Sequence, residues 1–292
     1  MGTDSTILGI DIGGTKTAAG VVAGDGCALS YVREATPQGL GRASYWALWW
    51  GWRGGPGRRA GRRRWRSGWG AAGRCGIRGD RVAAAHPGVA GVSSLREGLE
   101  AALGLPTIVD NDAKALALGE AVFGAGRGAR AMVGMVVSTG VGGGVVVEGR
   151  LLHGATGNAG HIGHMIVAPR GLICECGARG CLTPYASGTG IAARAREAIK
   201  RGVATSLAGL PVEALTAEAV GAHAAKGDRL ARRLVGEAGV MLGRAIASAA
   251  ALLDIDLFVL GGGVTLSGPL LFGPLGRRVG CAPTCRSCAI FR

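Results

Sequence analysis

Three glycine-rich turns, each directly after a short apolar run, constrain the fold of this chain more than any other feature. Apolar runs of this length, bounded by glycine, predict buried β-strands. Glycine has no side chain, so the backbone N–H groups of such turns can approach phosphate oxygens. Each turn alone is also compatible with a plain glycine hairpin, whereas two together predict a cleft that holds a polyphosphate from both sides. The runs and their turns are 6–12 with 13–17, 131–137 with 138–143, and 256–260 with 261–263.

These turns supply the candidate phosphate- and nucleotide-binding residues. Asp11 lies near the end of the first run, where its carboxylate can hold Mg²⁺ directly or through water. The third turn would let a base or ribose lie against the backbone. The predicted cofactor-binding residues are Asp11, Gly13, Gly14, Thr15, Lys16, Thr139, Gly140, Gly142 and Gly262.

The remaining pattern alternates predicted strands and helices, and 292 residues are enough for two modest domains. A Gly-, His- and Cys-rich segment over 154–184 is predicted to be irregular. Further strands are predicted at 18–22, 107–109 and 144–148, and helices at 95–103, 113–123, 187–201, 212–225 and 228–253.

The net charge of +14 is concentrated in one stretch of the chain. Residues 42–81 hold eleven Arg against one acid, and all six Trp lie within 46–69. The stretch shows no recognition helix, so we do not expect a nucleic-acid partner. No apolar run reaches the roughly 18 residues of a membrane helix, and the N-terminus has no basic signal-peptide region. We therefore expect a cytoplasmic protein without a membrane partner.

Asn111 and Asp112 lie between a predicted strand and a predicted helix. Phosphoryl transfer to a hydroxyl needs a carboxylate within reach of the hydroxyl proton, and a neighbouring group that fixes the acceptor. Asp112 fits the role of base and Asn111 that of the positioning group. The alternative is that Asp112 only caps the helix that begins at 113.

His164, Cys174, Cys176 and Cys181 form the pattern His-x9-Cys-x-Cys-x4-Cys. Three thiolates and one imidazole complete a closed tetrahedral Zn²⁺ site, and the interleaved glycines allow the tight turns that it needs. The alternative is a set of unrelated buried thiols. In a chain expected in the cytoplasm, a metal site is favoured over disulfides.

Taken together, these motifs resemble the ROK family of sugar kinases and sugar-responsive repressors. The resemblance covers about 6–42 and 95–273. It is carried by the motifs Gly9–Lys16, Asp110–Ala113, Ser138–Gly144, Gly160–His164, Cys174–Cys181, Tyr185–Gly188 and Leu260–Gly263, in family order.

The resemblance implies a two-lobed α/β fold of the actin-like ATPase, ribonuclease H-like type. It implies phosphorylation of a sugar hydroxyl by ATP, with the sugar a hexose or an N-acylhexosamine. Asp112 would be the catalytic base, Asn111, His161 and His164 would contact the sugar, and Zn²⁺ would hold the sugar-side loop. His164 would serve both the metal and the sugar. A homodimer or homotetramer is also implied.

Two departures from the family pattern concern the sugar site. His161 and Thr183 stand where the family usually has glutamates that accept hydrogen bonds from sugar hydroxyls. The alternatives to a working kinase are therefore an inactive relative and a sugar-binding regulator. The phosphate donor, ATP or polyphosphate, is left open.

We predict an N-terminal lobe over 1–110, a C-terminal lobe over 111–273 and an atypical tail over 274–292. Segment 43–94 shows no period of 2 or 3.6, and its abundant Trp, Arg, Gly, Ala and Pro all have GC-rich codons. We interpret this segment as read out of frame, and the tail as similarly affected. The alternative for 43–94 is a genuine Arg-rich insertion.

Overall fold

A computed structural model describes residues 6–12, 16–35, 65–71, 92–280 and 289–291. The chain divides into two compact units. The first combines Met1–Ala115 with His153–Ala159, and the second combines Leu116–Leu152 with Gly160–Arg292. Our predicted boundary after residue 110 lies just before the observed one, and the return of 153–159 to the first unit was not predicted.

The first unit contains a five-stranded sheet with the order β3-β2-β1-β4-β5. β1 runs antiparallel to β2 and parallel to β4, and β4 runs parallel to β5. Leu8 and Ile10, two residues apart on β1, belong to the same core as Leu95 and Leu99, one turn apart on α1. The elements are β1 Thr6–Ile12, β2 Lys16–Ala23, β3 Ala28–Ala35, β4 Trp65–Ala71, α1 Val92–Leu103 and β5 Thr107–Asn111.

Helix α2, Asp112–Phe123, begins in the first unit and ends in the second. The second unit contains a sheet with the order β10-β9-β6-β7-β8. β6 and β7 form an antiparallel hairpin, and β9 lies parallel to β6. The strands are β6 Ala131–Val137, β7 Val141–Val147, β8 Arg150–Leu151, β9 Leu257–Gly261 and β10 Ala289–Phe291. The helices are α3 Thr183–Ala186, α4 Gly188–Lys200, α5 Ala217–Ala225, α6 Arg229–Leu253 and α7 Pro269–Gly280, with short 3₁₀ turns at Ile162–His164, Ser206–Gly209, Val212–Ala214 and Gly263–Ser267.

Helix α6 is the core helix of the second unit. Leu234, Leu242 and Ile246 are buried in the unit's main apolar cluster. By length and composition alone α6 would also be able to cross a membrane, but just over half of its most apolar stretch, 56%, is buried within the protein. The Asp228 carboxylate caps its first turn by accepting a hydrogen bond of 2.8 Å from the Ala231 amide.

Most predicted elements are present with ends shifted by a few residues. β3 was not predicted, and β4 lies within 43–94, where no regular element was expected; the remainder of that segment before residue 92 is outside the described residues. The helix predicted over 212–225 is shorter, because Val212–Ala214 forms a 3₁₀ turn and α5 begins at Ala217.

The C-terminal region is more regular than its glycines and proline indicated. α7 continues from Pro269 to Gly280, so the predicted tail begins inside a helix. Pro274 lacks an amide hydrogen and disfavours a helix interior. Leu271, Leu275 and Val279 nevertheless lie one turn apart and are all buried, so packing of this face outweighs the local preference. Residues 281–288 and 292 lie outside the described residues.

Candidate functional site

The first unit brings Asp11, Asn111 and Asp112 to one edge of its sheet. β1, β4 and β5 are parallel, and the register aligns Ile12 with Ala71 and Ala71 with Asn111. Strands two places apart in a sheet are separated by about 10 Å. The carboxyl edge of a parallel sheet is where ligands bind in open α/β folds, so the strand ends place these polar groups around one position.

Asn111 precedes helix α2 and caps its first turn. The helix begins at Asp112, and the Asn111 side-chain oxygen accepts a hydrogen bond of 3.0 Å from the Ala113 amide, as an N-cap residue does. Asp112 Oδ1 also accepts from the Ala113 amide, at 2.8 Å. Asn111 therefore occupies the N-cap position, while the Asp112 carboxylate contacts the same first-turn amide, and both interpretations of Asp112, as base and as capping group, stay predictions.

The two carboxylates at this edge hold their protons more strongly than usual. Burial raises the pKa of Asp112 above its ordinary value, although amide hydrogen bonds oppose the shift. Desolvation also raises the pKa of Asp11, the negative charge of Asp112 adds to it, and Arg33 opposes it. A carboxylate with a raised pKa is a better proton acceptor, and two carboxylates whose charges repel one another favour a bound cation.

A buried lysine next to this edge was missed by the sequence reasoning. The Lys114 side chain is completely buried, and its ammonium donates a hydrogen bond to the Gly157 carbonyl. Burial lowers the pKa of Lys114, and the negative charge of Asp110 opposes the shift. Asp110 also lies 3.5 Å from His153 Nδ1. These contacts hold residues 153–159 to the first unit. The signal for them in the sequence was the only lysine of an Ala- and Leu-rich helix.

In the second unit, Thr139, Gly140 and Gly262 lie at the carboxyl edge of β6 and β9. These strands are parallel, and Val136 pairs with Gly261. Gly262 has a φ of +105°, and a Cβ there would lie 2.5 Å from the Val137 carbonyl oxygen. Only glycine therefore lets the turn after β9 lie against the end of β6.

Gly142 lies inside strand β7, where it pairs with Val136, and not in the turn between the strands. The turn consists of 138–140 only, and the Ser138 amide donates to the Gly140 carbonyl at 2.9 Å. Gly143, also in β7, lies close to the segment before His164: a Cβ there would be 3.0 Å from Ile162 Cγ2. Gly143 therefore serves close packing, and the turn of the predicted phosphate loop is shorter than expected.

The beginning of helix α4 contacts this turn. The Gly188 amide donates to the Ser138 carbonyl at 2.7 Å, and the Thr189 amide donates to the Thr139 carbonyl at 3.3 Å. The Thr189 hydroxyl donates to the same Thr139 carbonyl at 2.9 Å. Thr189 did not enter our predicted site, because it lies 50 residues away in the chain.

The four predicted metal ligands come together in the second unit. The ligand atoms of His164, Cys174, Cys176 and Cys181 all lie within 4.8 Å of one another. Cys176 Sγ lies 3.6 Å from Cys181 Sγ, and Cys174 Sγ lies 3.7 Å from His164 Nδ1. Ligand atoms on a tetrahedral Zn²⁺ are separated by about 3.6–3.8 Å when the metal–ligand distances are those usual for sulfur and nitrogen. The donor set and its spacing fit zinc.

The cysteine segment has little apolar burial of its own. Leu172 is 40% exposed and Ile173 is 66% exposed. Local hydrogen bonds shape it, among them one from the Leu172 amide to the Tyr185 hydroxyl at 2.7 Å. Gly180 has a φ of +85°, and a Cβ there would collide with the Ala168 carbonyl oxygen. Burial, followed by the neighbouring thiols, raises the pKa of Cys181 to about 12, which a bound dication would reverse.

His161 precedes a short 3₁₀ turn and His164 is its last residue, and their ring centroids lie 6.5 Å apart. Thr183 is bound to the same turn, because its hydroxyl donates to the Gly163 carbonyl at 2.8 Å. That hydroxyl therefore fixes the turn that carries the two histidines.

Part of the predicted site lies outside the described residues, namely Gly13, Gly14 and Thr15. Lys16 is described by its backbone, which begins β2 opposite Ala35. Of the Arg-rich stretch 42–81, only the backbone of β4 is described.

The chain is similar to known sugar kinases. The model of the ROK family matches residues 77–280. A glucokinase of Streptomyces coelicolor is 33% identical over 276 residues, which cover 92% of this chain and 85% of that protein. A glucokinase of Halalkalibacterium halodurans is 44% identical over 185 residues, 62% of this chain. The chain spans only 56% of the length of that relative.

A solved structure extends the similarity to the fold. The ROK family glucokinase from Streptomyces griseus, in complex with glucose and AMPPNP, matches with a TM-score of 0.79 and 31% identity. The match covers 98% of this chain and 94% of that one. It confirms the predicted α/β fold of the actin-like ATPase type.

Proposed function

Because the chain belongs to the ROK family, we propose that it is a sugar kinase that transfers a phosphoryl group from ATP to a sugar hydroxyl. The substrate class is a hexose or an N-acylhexosamine. Support comes from the similarity to glucokinases and from a glucokinase of the same fold that binds glucose and an ATP analogue. The observation that carries the proposal is the position and protonation behaviour of Asp112.

Asp112 would act as the general base. Its carboxylate lies at the carboxyl edge of the sheet, helix α2 has Asn111 as its cap, and burial raises the pKa of Asp112. A base at this position would accept the proton of the attacking sugar hydroxyl as the bond to phosphorus forms. Asn111, beside it, would hydrogen-bond the sugar.

The residues predicted to bind the nucleotide would hold its phosphates, its metal ion and its nucleoside. Asp11 would bind Mg²⁺ directly or through water, and the repulsion between Asp11 and Asp112 would be relieved by that cation. Thr139 and Gly140 would offer backbone amides to the phosphates, and Gly262 would lie against the nucleoside. Gly13, Gly14, Thr15, Lys16 and Gly142 are the other residues proposed to bind the nucleotide.

The metal of the cysteine cluster would be zinc, and its role structural. Four protein ligands fill a tetrahedral shell, which leaves no position for a substrate. Nδ1 of His164 faces Cys174, so Nε2 would be the nitrogen directed to a sugar hydroxyl. Zinc would thereby hold the loop that carries His161 and His164.

The experiment is a coupled assay for ADP with Mg²⁺, ATP and a panel of hexoses and N-acylhexosamines, repeated with polyphosphate as donor. Asp112→Asn keeps the shape of the side chain and removes its basicity, so we expect kcat to fall at least about 10²-fold. Asp25→Asn is the matched control: this exposed side chain accepts from the Cys27 amide, and an amide oxygen can do the same. Turnover by Asp112→Asn near the wild-type rate would contradict the assignment of the base.

A second candidate function is sugar binding without turnover, as in a regulator. It is favoured by one observation, the use of the Thr183 hydroxyl by Gly163 where the family pattern has an acidic sugar ligand. Calorimetric titration with the same sugars distinguishes the two candidates, because a regulator would bind sugar while forming no ADP. A cytoplasmic location and a homodimer or homotetramer stay predictions, and sedimentation of the purified chain tests the second.

A further inference from the structure

The turn 138–140 is held by helix α4 through its carbonyl groups. Three donors from the first two residues of the helix reach two successive carbonyls: the Gly188 amide binds Ser138, and the Thr189 amide and hydroxyl bind Thr139. Amides in the first turn of a helix have no partner within the helix and often bind anions. Here these two amides are used by the protein itself, so the start of α4 is not the anion site.

The same contacts determine where the amides of the turn point. The described peptide bonds are all trans, and in a planar trans peptide the carbonyl and the following N–H point in opposite directions. Because the Ser138 carbonyl points to α4, the Thr139 N–H points away from it. Because the Thr139 carbonyl points to α4, the Gly140 N–H also points away. Two successive amides on one side of a turn are the arrangement that binds phosphate oxygens.

The Thr189 hydroxyl is itself oriented by a buried partner. The Ser187 side chain is completely buried, accepts from the Gly190 amide at 3.0 Å, and lies 3.1 Å from the Thr189 hydroxyl. A hydroxyl has a single proton to donate. Because the Thr189 hydroxyl donates to the Thr139 carbonyl, the Ser187 hydroxyl is the donor in the contact between the two hydroxyls, and this contact supports the orientation of Thr189 toward the turn.

We propose that Thr189 is a positioning residue for the phosphate groups of the nucleotide. Its hydroxyl fixes the peptide between Thr139 and Gly140, so that two adjacent amides are directed to phosphate oxygens before the nucleotide arrives. The proposal rests on the proposed function, since it presumes that this turn binds the phosphates of ATP. It adds Thr189 to the proposed nucleotide site, as a residue that acts on the phosphates only by orienting the turn 138–140.

The test compares Thr189→Val with Thr189→Ser. Valine keeps the shape and removes the donor, whereas serine keeps the hydroxyl. ADP and a non-hydrolysable ATP analogue are titrated calorimetrically in the absence of sugar, and KM is measured separately for ATP and sugar. We expect Thr189→Val to weaken nucleotide binding and raise KM for ATP roughly tenfold, the effect of one lost hydrogen bond. KM for sugar should stay within about twofold, and Thr189→Ser should restore most of the nucleotide affinity.

A second measurement reports on the turn itself. The NMR amide signals of Thr139 and Gly140 should shift on addition of ADP to the wild type and shift less in Thr189→Val. Thr189 is exposed, so the variant is expected to fold, and its melting curve checks this; Thr189→Ala serves as a second variant lacking the donor. Equal nucleotide affinity in wild type and Thr189→Val, or equal rises of both KM values, would overturn the proposal. A wild type that binds no nucleotide would overturn the proposed function as well.

Discussion

Replacing Cys181 by serine removes one of the four ligands of the proposed metal centre and changes little else. Cys181 is completely buried, its Sγ lies 3.6 Å from that of Cys176, and all four ligand atoms lie within 4.8 Å of one another. Serine is nearly isosteric but a poor zinc ligand, so Cys181→Ser should lose the metal. Purified wild type should contain one zinc per chain by elemental analysis, and the variant much less.

Loss of the proposed zinc should lower the stability of the protein, because few other contacts hold residues 172–181. Leu172 is 40% exposed and Ile173 is 66% exposed, so the residues from there to Cys181 would depend on local hydrogen bonds and on the proposed metal. A ligand present at a thousand times its dissociation constant stabilises the folded state by about 4 kcal/mol. For a unit of this size each kcal/mol shifts Tm by about 2–4 °C, so removal of zinc should lower Tm by about 8–16 °C.

Hydrogen exchange locates the effect within the segment. The Cys174 amide donates to Ala178 and the Gly180 amide donates to Leu172, at 2.8 and 2.7 Å. Without zinc these amides should exchange with solvent by local opening, about 10²- to 10³-fold faster than with it. Cys27→Ser is the matched control, since Cys27 is an exposed free thiol elsewhere in the chain. Melting and exchange of Cys181→Ser that match the wild type would refute the reasoning, as would a wild type without zinc.

Two further substitutions test the elements around the site. Gly262→Ala should destabilise the protein by about 1–3 kcal/mol and weaken nucleotide binding, because a Cβ would lie 2.5 Å from the Val137 carbonyl at a φ of +105°. Urea unfolding measures the loss of stability and ADP titration measures the loss of affinity. An unchanged urea midpoint would contradict the prediction. Asp228→Ala should cost about 0.5–2 kcal/mol at pH 7, because the helix cap is lost. Desolvation raises the pKa of Asp228, but hydrogen bonds outweigh it and lower the pKa to about 2, and the bond from the Ala231 amide contributes most to the lowering. The difference in unfolding free energy between the wild type and Asp228→Ala should therefore have its full value above the unfolded pKa of about 3.9 and disappear as the pH falls toward 2. A difference that persists at low pH would refute the role of the Asp228 carboxylate.

Features that depend on neighbouring residues were accessible from the sequence. The apolar runs predicted β1, β6 and β9, and the glycines after them predicted turns at the carboxyl edges of these strands. The spacing of Cys174, Cys176 and Cys181 predicted a cluster that the fold assembles with His164. Such patterns can be read locally because strand period, turn conformation and ligand spacing are properties of short segments.

Contacts between distant residues were decided by the tertiary structure. Lys114 and Gly157 are 43 residues apart, and Thr189 and Thr139 are 50 apart. No local pattern shows that the lysine is buried or that the threonine orients a turn. The helix cap at Asn111 depends on where α2 begins, and α7 exists because its apolar face packs in the core despite Pro274. Side-chain partners and burial are properties of the packed chain, and packing can outweigh local preference.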